Sequence, residues 1–309
     1  MSGNNIQECI NILQQGADEK TRFKAVETLW EMGEAAAPAL TVLLEVVRND
    51  PNYDIRSWAE GAVTRIGREA IPAVQAFLND TDDKIRSKGA YLLGEIANDY
   101  SNTIPEIVPI LLKVLREDPH YLVRYYTCEA IGRILEREED IGGAVRVLGQ
   151  AIGTDEHKSV RESAAKSLGK MKAKNKIMEL LRVLEEAKYY DSLKLAIDLL
   201  GDMGSSAKQA VPILIQILKE AKSDSVRASA ATALSDIGGT EAVQALIYAL
   251  ENDSDYFVRM NAIDAFFMGK GLSLEEKKMG IPVLERVSKN DEDENIRELA
   301  QMALENMNW

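Results

Sequence analysis

Two cysteines and two histidines in 309 residues leave little material for metal or nucleophile chemistry. Cys9 and Cys128 are far apart and neither belongs to a CxxC, so neither a disulfide framework nor a Cys/His zinc module is expected. There is no GxSxG, no P-loop and no dinucleotide fingerprint. The segment GGAVRVLG (142–149) has glycines without the phosphate-loop spacing or a following Lys-Ser/Thr. No apolar stretch approaches the roughly 20 residues that span a bilayer. The opening MSGNNIQECI has no basic region followed by an apolar run, so a cytoplasmic protein without a signal peptide is expected. Aromatics are scarce at 6%, and only 8 prolines and 20 glycines interrupt the chain, a mixture that favours helix. Positive charge is also short: 37 Lys and Arg against 50 Asp and Glu give a net charge of −13, a field that opposes nucleic acid and anionic membranes.

What the chain has in abundance is repetition. YDIRSWAEGAVTRIG (53–67), DKIRSKGAYLLGEIA (83–97), YLVRYYTCEAIGRIL (121–135) and KSVRESAAKSLGKMK (158–172) share one pattern, as do DSVRASAATALSDIG (224–238), YFVRMNAIDAFFMGK (256–270) and ENIRELAQMALENMN (294–308). Each has a β-branched residue before an arginine, with small or apolar residues three, seven and ten positions after it. A looser first copy, KTRFKAVETLWEMG (20–33), keeps the frame. The arginines are Arg22, Arg56, Arg86, Arg124, Arg161, Arg227, Arg259 and Arg297. The double gap after Arg161 is filled by DSLKLAIDLLGDMG (191–204), with Leu193 in the arginine's place. Nine units follow, at about 4–33, 36–68, 70–98, 103–136, 139–172, 174–204, 206–238, 240–270 and 274–308, making a single repeat domain over 1–309.

Positions −1, +3, +7 and +10 from the arginine lie on one face of a helix, B, and an apolar helix, A, precedes it in each unit. Pro38, Pro72, Pro212 and Pro282 are expected where A begins, with Pro105 and Pro109 bracketing the start in the fourth unit. Gly33, Gly67 and Gly238 are expected to close B, and Asp54, Asp83, Asp155 and Asp224 to cap its start.

Helix pairs of this length, with Asp and then Val-Arg opening the second helix, resemble HEAT repeats, most of all the short HEAT-like type named after the phycobilisome (PBS) lyases. The resemblance covers about residues 4–308 and is specific because the pattern recurs in phase. It implies an all-α fold, a right-handed α-solenoid with B helices lining the concave side, stabilised by neighbour-to-neighbour burial. Some HEAT-like enzymes hold two irons with His-Glu pairs. Here His120 precedes Tyr121 and His157 precedes Lys158, so that ligand set is not matched, and no metal or cofactor is expected.

The arginine file is expected to be a structural ladder, each guanidinium pairing with aspartates near the start of B in its own or the adjacent unit. His120 lies in a turn and Cys128 two helical turns on, in the place of Ala90, Ala165 and Ala231, which makes it a small core residue rather than a ligand. Positions +1, +2, +5 and +9 point away from the apolar stripe. In units two to five they carry Trp58, Arg65, Lys88, Tyr91, Tyr125, Tyr126, Arg133, Lys166 and Lys170, with Glu95, Glu129 and Glu162 among them. This aromatic and mostly basic strip reads either as a partner groove or as side chains packing on neighbouring helices. KSLGKMKAKNK (166–176) reads as a solvated turn or as a contact for an acidic partner segment, and NDEDEN (290–295) as an acidic loop with a helix cap. Met260 and Met268, with Phe266 and Phe267 nearby, form a second, weaker candidate surface.

A non-catalytic scaffold binding a protein or peptide is the leading expectation, as a monomer or weak oligomer. A bilin-lyase-like enzyme subunit is the alternative implied by the resemblance, and a change in bilin absorbance on mixing would separate the two. Nucleic-acid binding is a third reading, which the net charge of −13 opposes and a gel shift at low salt would test.

Overall fold

The computed structural model describes residues 2–136, 141–172 and 175–307, and among these no strand occurs. Helices follow one another as A/B pairs: α1 (Ser2–Gln14) with α2 (Glu19–Met32), α3 (Leu40–Asn49) with α4 (Tyr53–Ile66), α5 (Ile71–Phe77) with α6 (Asp83–Asp99), and α7 (Ile104–Glu117) with α8 (Tyr121–Leu135). Then come α9 (Ala144–Thr154), α10 (Lys158–Lys170), α11 (Lys176–Glu186), α12 (Tyr190–Asp202), α13 (Val211–Glu220), α14 (Asp224–Ile237), α15 (Thr240–Asn252) and α16 (Tyr256–Phe267). A short extra helix, α17 (Leu274–Lys278), precedes the last pair, α18 (Ile281–Asn290) and α19 (Glu294–Met307).

The contacts group these helices into two compact units, residues 1–151 with 166–173, and residues 152–165 with 174–309. In the first, each B helix packs on its own A helix and on the B helix of the next pair: α2 on α4, α4 on α6, α6 on α8. The second repeats the scheme, α12 on α14, α14 on α16 and α16 on α19.

Local sequence explains these elements. Pro72, Pro105, Pro212 and Pro282 sit in the first turn of their A helices, where the missing N–H costs nothing. Pro38 departs from the expectation: it lies in a 3₁₀ segment, Gly33–Ala39, and α3 begins two residues later at Leu40. Gly33, Gly67 and Gly238 close their B helices with φ of 57°, 74° and 73°, which side chains rarely adopt. The caps fall upstream of the expected aspartates. Asn52 accepts the N–H groups of Asp54 and Ile55, and Asp82 that of Lys84, so Asp54 and Asp83 sit inside the first turn beside the positive end of the helix dipole.

The B-helix stripe is buried as its spacing predicts: Ile55, Ala59, Val63 and Ile66 in α4, and Val226, Ala230, Leu234 and Ile237 in α14. Neighbouring B helices approach closely through small residues. A Cβ added to Gly94 would lie 2.7 Å from the Cβ of Ala130, and one added to Gly132 would lie 2.5 Å from Ser167 Oγ. Position +8 of one B helix thus faces +6 of the next, which is why glycine recurs there. Phe266, grouped with the surface methionines on sequence, belongs to the core at 0% exposure, whereas Met268 is 62% exposed.

Candidate functional site

The most regular polar feature is the arginine file, and its geometry follows one rule. Arg22 donates from Nε to Asp50 at 2.8 Å, Arg86 to Asp118 at 2.7 Å, and Arg227 to Asp253 at 2.7 Å, while Arg259 Nε lies 3.1 Å from Asp291. Each acceptor stands six residues before the next arginine in the chain. Its backbone carbonyl in turn accepts from that next arginine, as Asp50 does from Arg56, Asp118 from Arg124 and Asp253 from Arg259. The same carboxylates accept an N–H of their own turn, as Asp118 does from His120. One aspartate therefore fixes a turn and joins two units. Charge-assisted pairing raises the affinity of Arg22, Arg86 and Arg227 for their protons.

The departures are informative. Arg161 reaches Asp191 because the residue six before Leu193 is Ala187. Where leucine replaces arginine, the acceptor is missing as well: six residues before Arg227 stands Ala221. Asp80 is taken by Arg48 at 2.5 Å, and Arg56 instead bonds the carbonyls of Asp50 and Pro51 and lies over the Tyr53 ring. Arg297 donates to the carbonyls of Asp291 and Glu292. The file of acceptors was readable in sequence from Asp118-Pro119 matching Asp50-Pro51, but the offset of six between files is the signal that finds it whole.

The solvent-facing strip in the first unit is a series of edge-on rings and paired charges. Trp58 is half-buried, edge-on to Phe23 at 5.5 Å and to Trp30 at 5.2 Å. Arg65 lies over Trp30 at 4.3 Å. Lys88 bonds Glu60 at 2.6 Å and approaches the Tyr91 ring at 5.2 Å, while Arg133 bonds Glu95 at 2.6 Å and approaches that ring at 5.3 Å. Tyr125 and Tyr126 meet edge to face at 5.2 Å, and the Tyr125 hydroxyl donates to Glu129. Burial, then the neighbouring Glu95, raises the Tyr91 phenol, and burial with Glu129 does the same for Tyr125. Lys166 and Lys170 project from α10, both exposed. Glu60, Phe23 and Trp30 were missed on sequence, because each meets the strip from an adjacent helix. Two of the five basic residues of the strip, Lys88 and Arg133, carry a carboxylate partner.

Cys128 is fully buried on α8, and His120 Nδ1 stands 3.3 Å from Oδ2 of Asp83, the first residue of α6. Among the described residues no group of three or more His, Cys, Asp or Glu is placed to hold a metal ion, and no helix is long and apolar enough to cross a membrane. Of the lysine-rich run, Ala173 and Lys174 lie outside the described residues. In the second unit the equivalent positions bear Asp198, Asp236 and Asp264, whose carboxyls burial pushes above the usual range.

The family model for HEAT repeats matches residues 6–94, 108–192 and 177–266. The chain belongs to the HEAT-repeat family. A chain in the structure of Kap95p with RanGDP is similar over 98% of this HEAT protein, at 15% identity and a TM-score of 0.63. A chain in the structure of Kap121p bound to Pho4p is similar over 94%, at 15% identity and a TM-score of 0.51. These likenesses carry the α-solenoid fold alone. The HEAT protein spans 45% of the first of those chains and 36% of the second. No curated protein matches it.

Proposed function

We propose that this HEAT protein is a non-catalytic scaffold that holds a protein or peptide partner on the exposed face of the B helices in its first unit. The observation that carries the reading is the succession of ring and guanidinium clusters along this face: Phe23, Trp58 and Trp30 with Arg65, then Tyr91 with Arg133, then Tyr125 with Tyr126. Trp, Tyr and Arg are the residue types that dominate protein-interface energetics, because they bury large area with few rotors to freeze. Internal pairs hold these side chains in place before a partner arrives, which lowers the ordering cost of association. Kap121p, of like fold, is seen bound to Pho4p, so the architecture is compatible with a protein partner, although fold by itself assigns no function. The brevity of the units and their Asp-then-Val-Arg start support placing them with the short type named after the PBS lyases.

Pull-down from native lysate with the wild type and with a Trp58→Ala/Tyr125→Ala/Tyr126→Ala variant tests the reading. Partners retained by the wild type and lost by the variant are expected. Identical partner sets would refute the face.

A further inference from the structure

We infer that the exposed face of α12, α14 and α16, in the second unit, receives a basic segment of a partner protein, whose cations meet Asp198, Asp236 and Asp264 while its apolar residues meet Phe257 and Met268. The inference uses other helices than the reading above and does not depend on it. One sign of charge selects the occupant. At positions +1, +2, +5 and +9, counted from the arginine or from Leu193 in its place, these three helices carry a single cation, Lys194, against Asp198, Asp202, Asp236 and Asp264. In α4, α6 and α8 the same positions set Arg65, Lys88 and Arg133 against Glu95 and Glu129.

Among the described residues no salt bridge joins any of these four aspartates to a cation. Asp264 is half-buried, and burial alone acts on its carboxyl. Asp202 stands near enough to Asp198 and Asp236 to oppose the charge of both. A half-buried carboxylate without a counter-charge is a standing cost that an incoming cation removes. Among the described residues no three acidic groups converge to hold a metal ion. The carboxylates are spread over three helices, which suits several cations spaced along a chain. Apolar groups on the same face point to a peptide. Phe257 and Met268 are 60% and 62% exposed on α16, with Asp264 between them. From Phe257 to Met268 the helix rises about 16 Å, the reach of about five extended residues. Phe257 also lines a groove of about 470 Å³ in which Lys194 faces Asp198, Asp224 and Asp255. The nearby Arg227 is taken by Asp253. A lysine or arginine stem can lie on the Phe257 ring with its charge at Asp198.

Fluorescence anisotropy with the full-length protein tests this. The probe is a capped, labelled octapeptide of lysine, arginine, leucine and glycine, beside versions with glutamine or glutamate at the cationic positions. Only the basic peptide is expected to bind at about 150 mM NaCl, and more weakly as salt rises. The variant Asp198→Asn/Asp236→Asn/Asp264→Asn should bind it at least about tenfold more weakly. The control Glu185→Gln/Glu241→Gln/Glu285→Gln removes the same charge from exposed positions on the A helices α11, α15 and α18. It should weaken binding by less than about twofold, because the screening length at this salt is about 8 Å. Phe257→Ala and Met268→Ala should each cost about threefold. Far-UV circular dichroism checks folding, and Phe257→Ala, at an exposed ring, keeps the test valid if the triple variant unfolds. Equal losses in the two triple variants would reduce the effect to the overall charge of the chain and overturn the face. No binding of the basic peptide, equal binding of the glutamine version, or binding indifferent to the aspartate and Phe257 variants would also overturn the inference. Spermine displacing the peptide at equal concentration would overturn a protein segment as the occupant.

Discussion

Replacing Arg227 by leucine tests the arginine file with a substitution the chain itself makes at Leu193. Arg227 donates from Nε and Nη2 to the two oxygens of Asp253 at 2.7 and 2.9 Å, and from Nη1 to the Ala221 carbonyl at 2.9 Å. The two side chains are only 14% and 9% exposed. Removing the guanidinium leaves the Asp253 carboxylate in a nearly dry site, with the Asp255 N–H as a remaining donor. Breaking a buried pair from one side costs about 3–5 kcal/mol, and the partial exposure of the arginine moves the figure to about 2–3 kcal/mol. Leu193 is accompanied by Ala221 in the acceptor's place, so Arg227→Leu combined with Asp253→Ala should cost about 1 kcal/mol or less. Because a repeat array need not unfold in one step, the assay is native-state hydrogen exchange of amides in α14 to α16, supported by urea denaturation. Acid supplies a second signature. Burial pushes the Asp253 carboxyl up, but the Arg227 hydrogen bond and the Asp255 N–H outweigh it and hold the group below the usual carboxylate range. A depressed carboxyl contributes stability that is present above its unfolded pKa and lost as pH falls through the folded value. The advantage of the wild type over Arg227→Leu should therefore shrink below about pH 4. A single-variant loss under about 0.5 kcal/mol, or a double variant no better than the single, would refute the ladder as a joint between units.

Gly132→Ala should destabilise by about 1–3 kcal/mol through overpacking, because the new Cβ would stand 2.5 Å from Ser167 Oγ and 3.0 Å from its Cα; adding Ser167→Gly should restore much of the loss in thermal melts. Asp264→Asn should stabilise at neutral pH and gain nothing at about pH 3. Burial raises this carboxyl, so its favourable protonated contribution is complete below the unfolded pKa and disappears as pH rises through the folded one. Urea midpoints at the two pH values decide it, and equal shifts at both would refute the desolvation cause.

Much of the fold was legible because each unit states the same pattern with small variations, so an ambiguity in one copy is resolved by another. Val226, Ala230, Leu234 and Ile237 repeat in type and spacing what Ile55, Ala59, Val63 and Ile66 do in α4, and both sets are buried. The site was harder to read because its contacts cross between units, where the sequence gives spacing along a helix but not the offset between helices. Trp58 looks solvent-facing on its own wheel, yet Trp30 from α2 covers it. Lys88 looks free until Glu60, 28 positions earlier, is seen beside it. Once the offsets are known, with each arginine opposite the residue six before the next and +8 opposite +6, such pairs follow from spacing alone. Cap identity was lost for a smaller reason: Asn52 and Asp82 compete with Asp54 and Asp83 for the same turn, and a shift of one or two residues decides which oxygen meets the free N–H groups.

The units separate two tasks among their positions. The arginine, its acceptor six residues before the next arginine, and the apolar residues at −1, +3 and +7 recur because every unit must bond to its neighbour. Positions +1, +2, +5 and +9 make few such demands, and there the chain spends its diversity. In the first unit they hold rings and paired cations, Trp58, Tyr91, Tyr126 and Arg133; in the second they hold carboxyls, Asp198, Asp236 and Asp264, with Met260 and Met268. A face built only for stability would have no reason to leave Ser87 Oγ without a partner, to leave Tyr126 exposed, or to keep carboxyls where burial raises their protonation. Proteins tolerate such local costs where a surface is used. On the proposed scaffold reading, the departures from the repeat, more than the repeat itself, are where a partner would act.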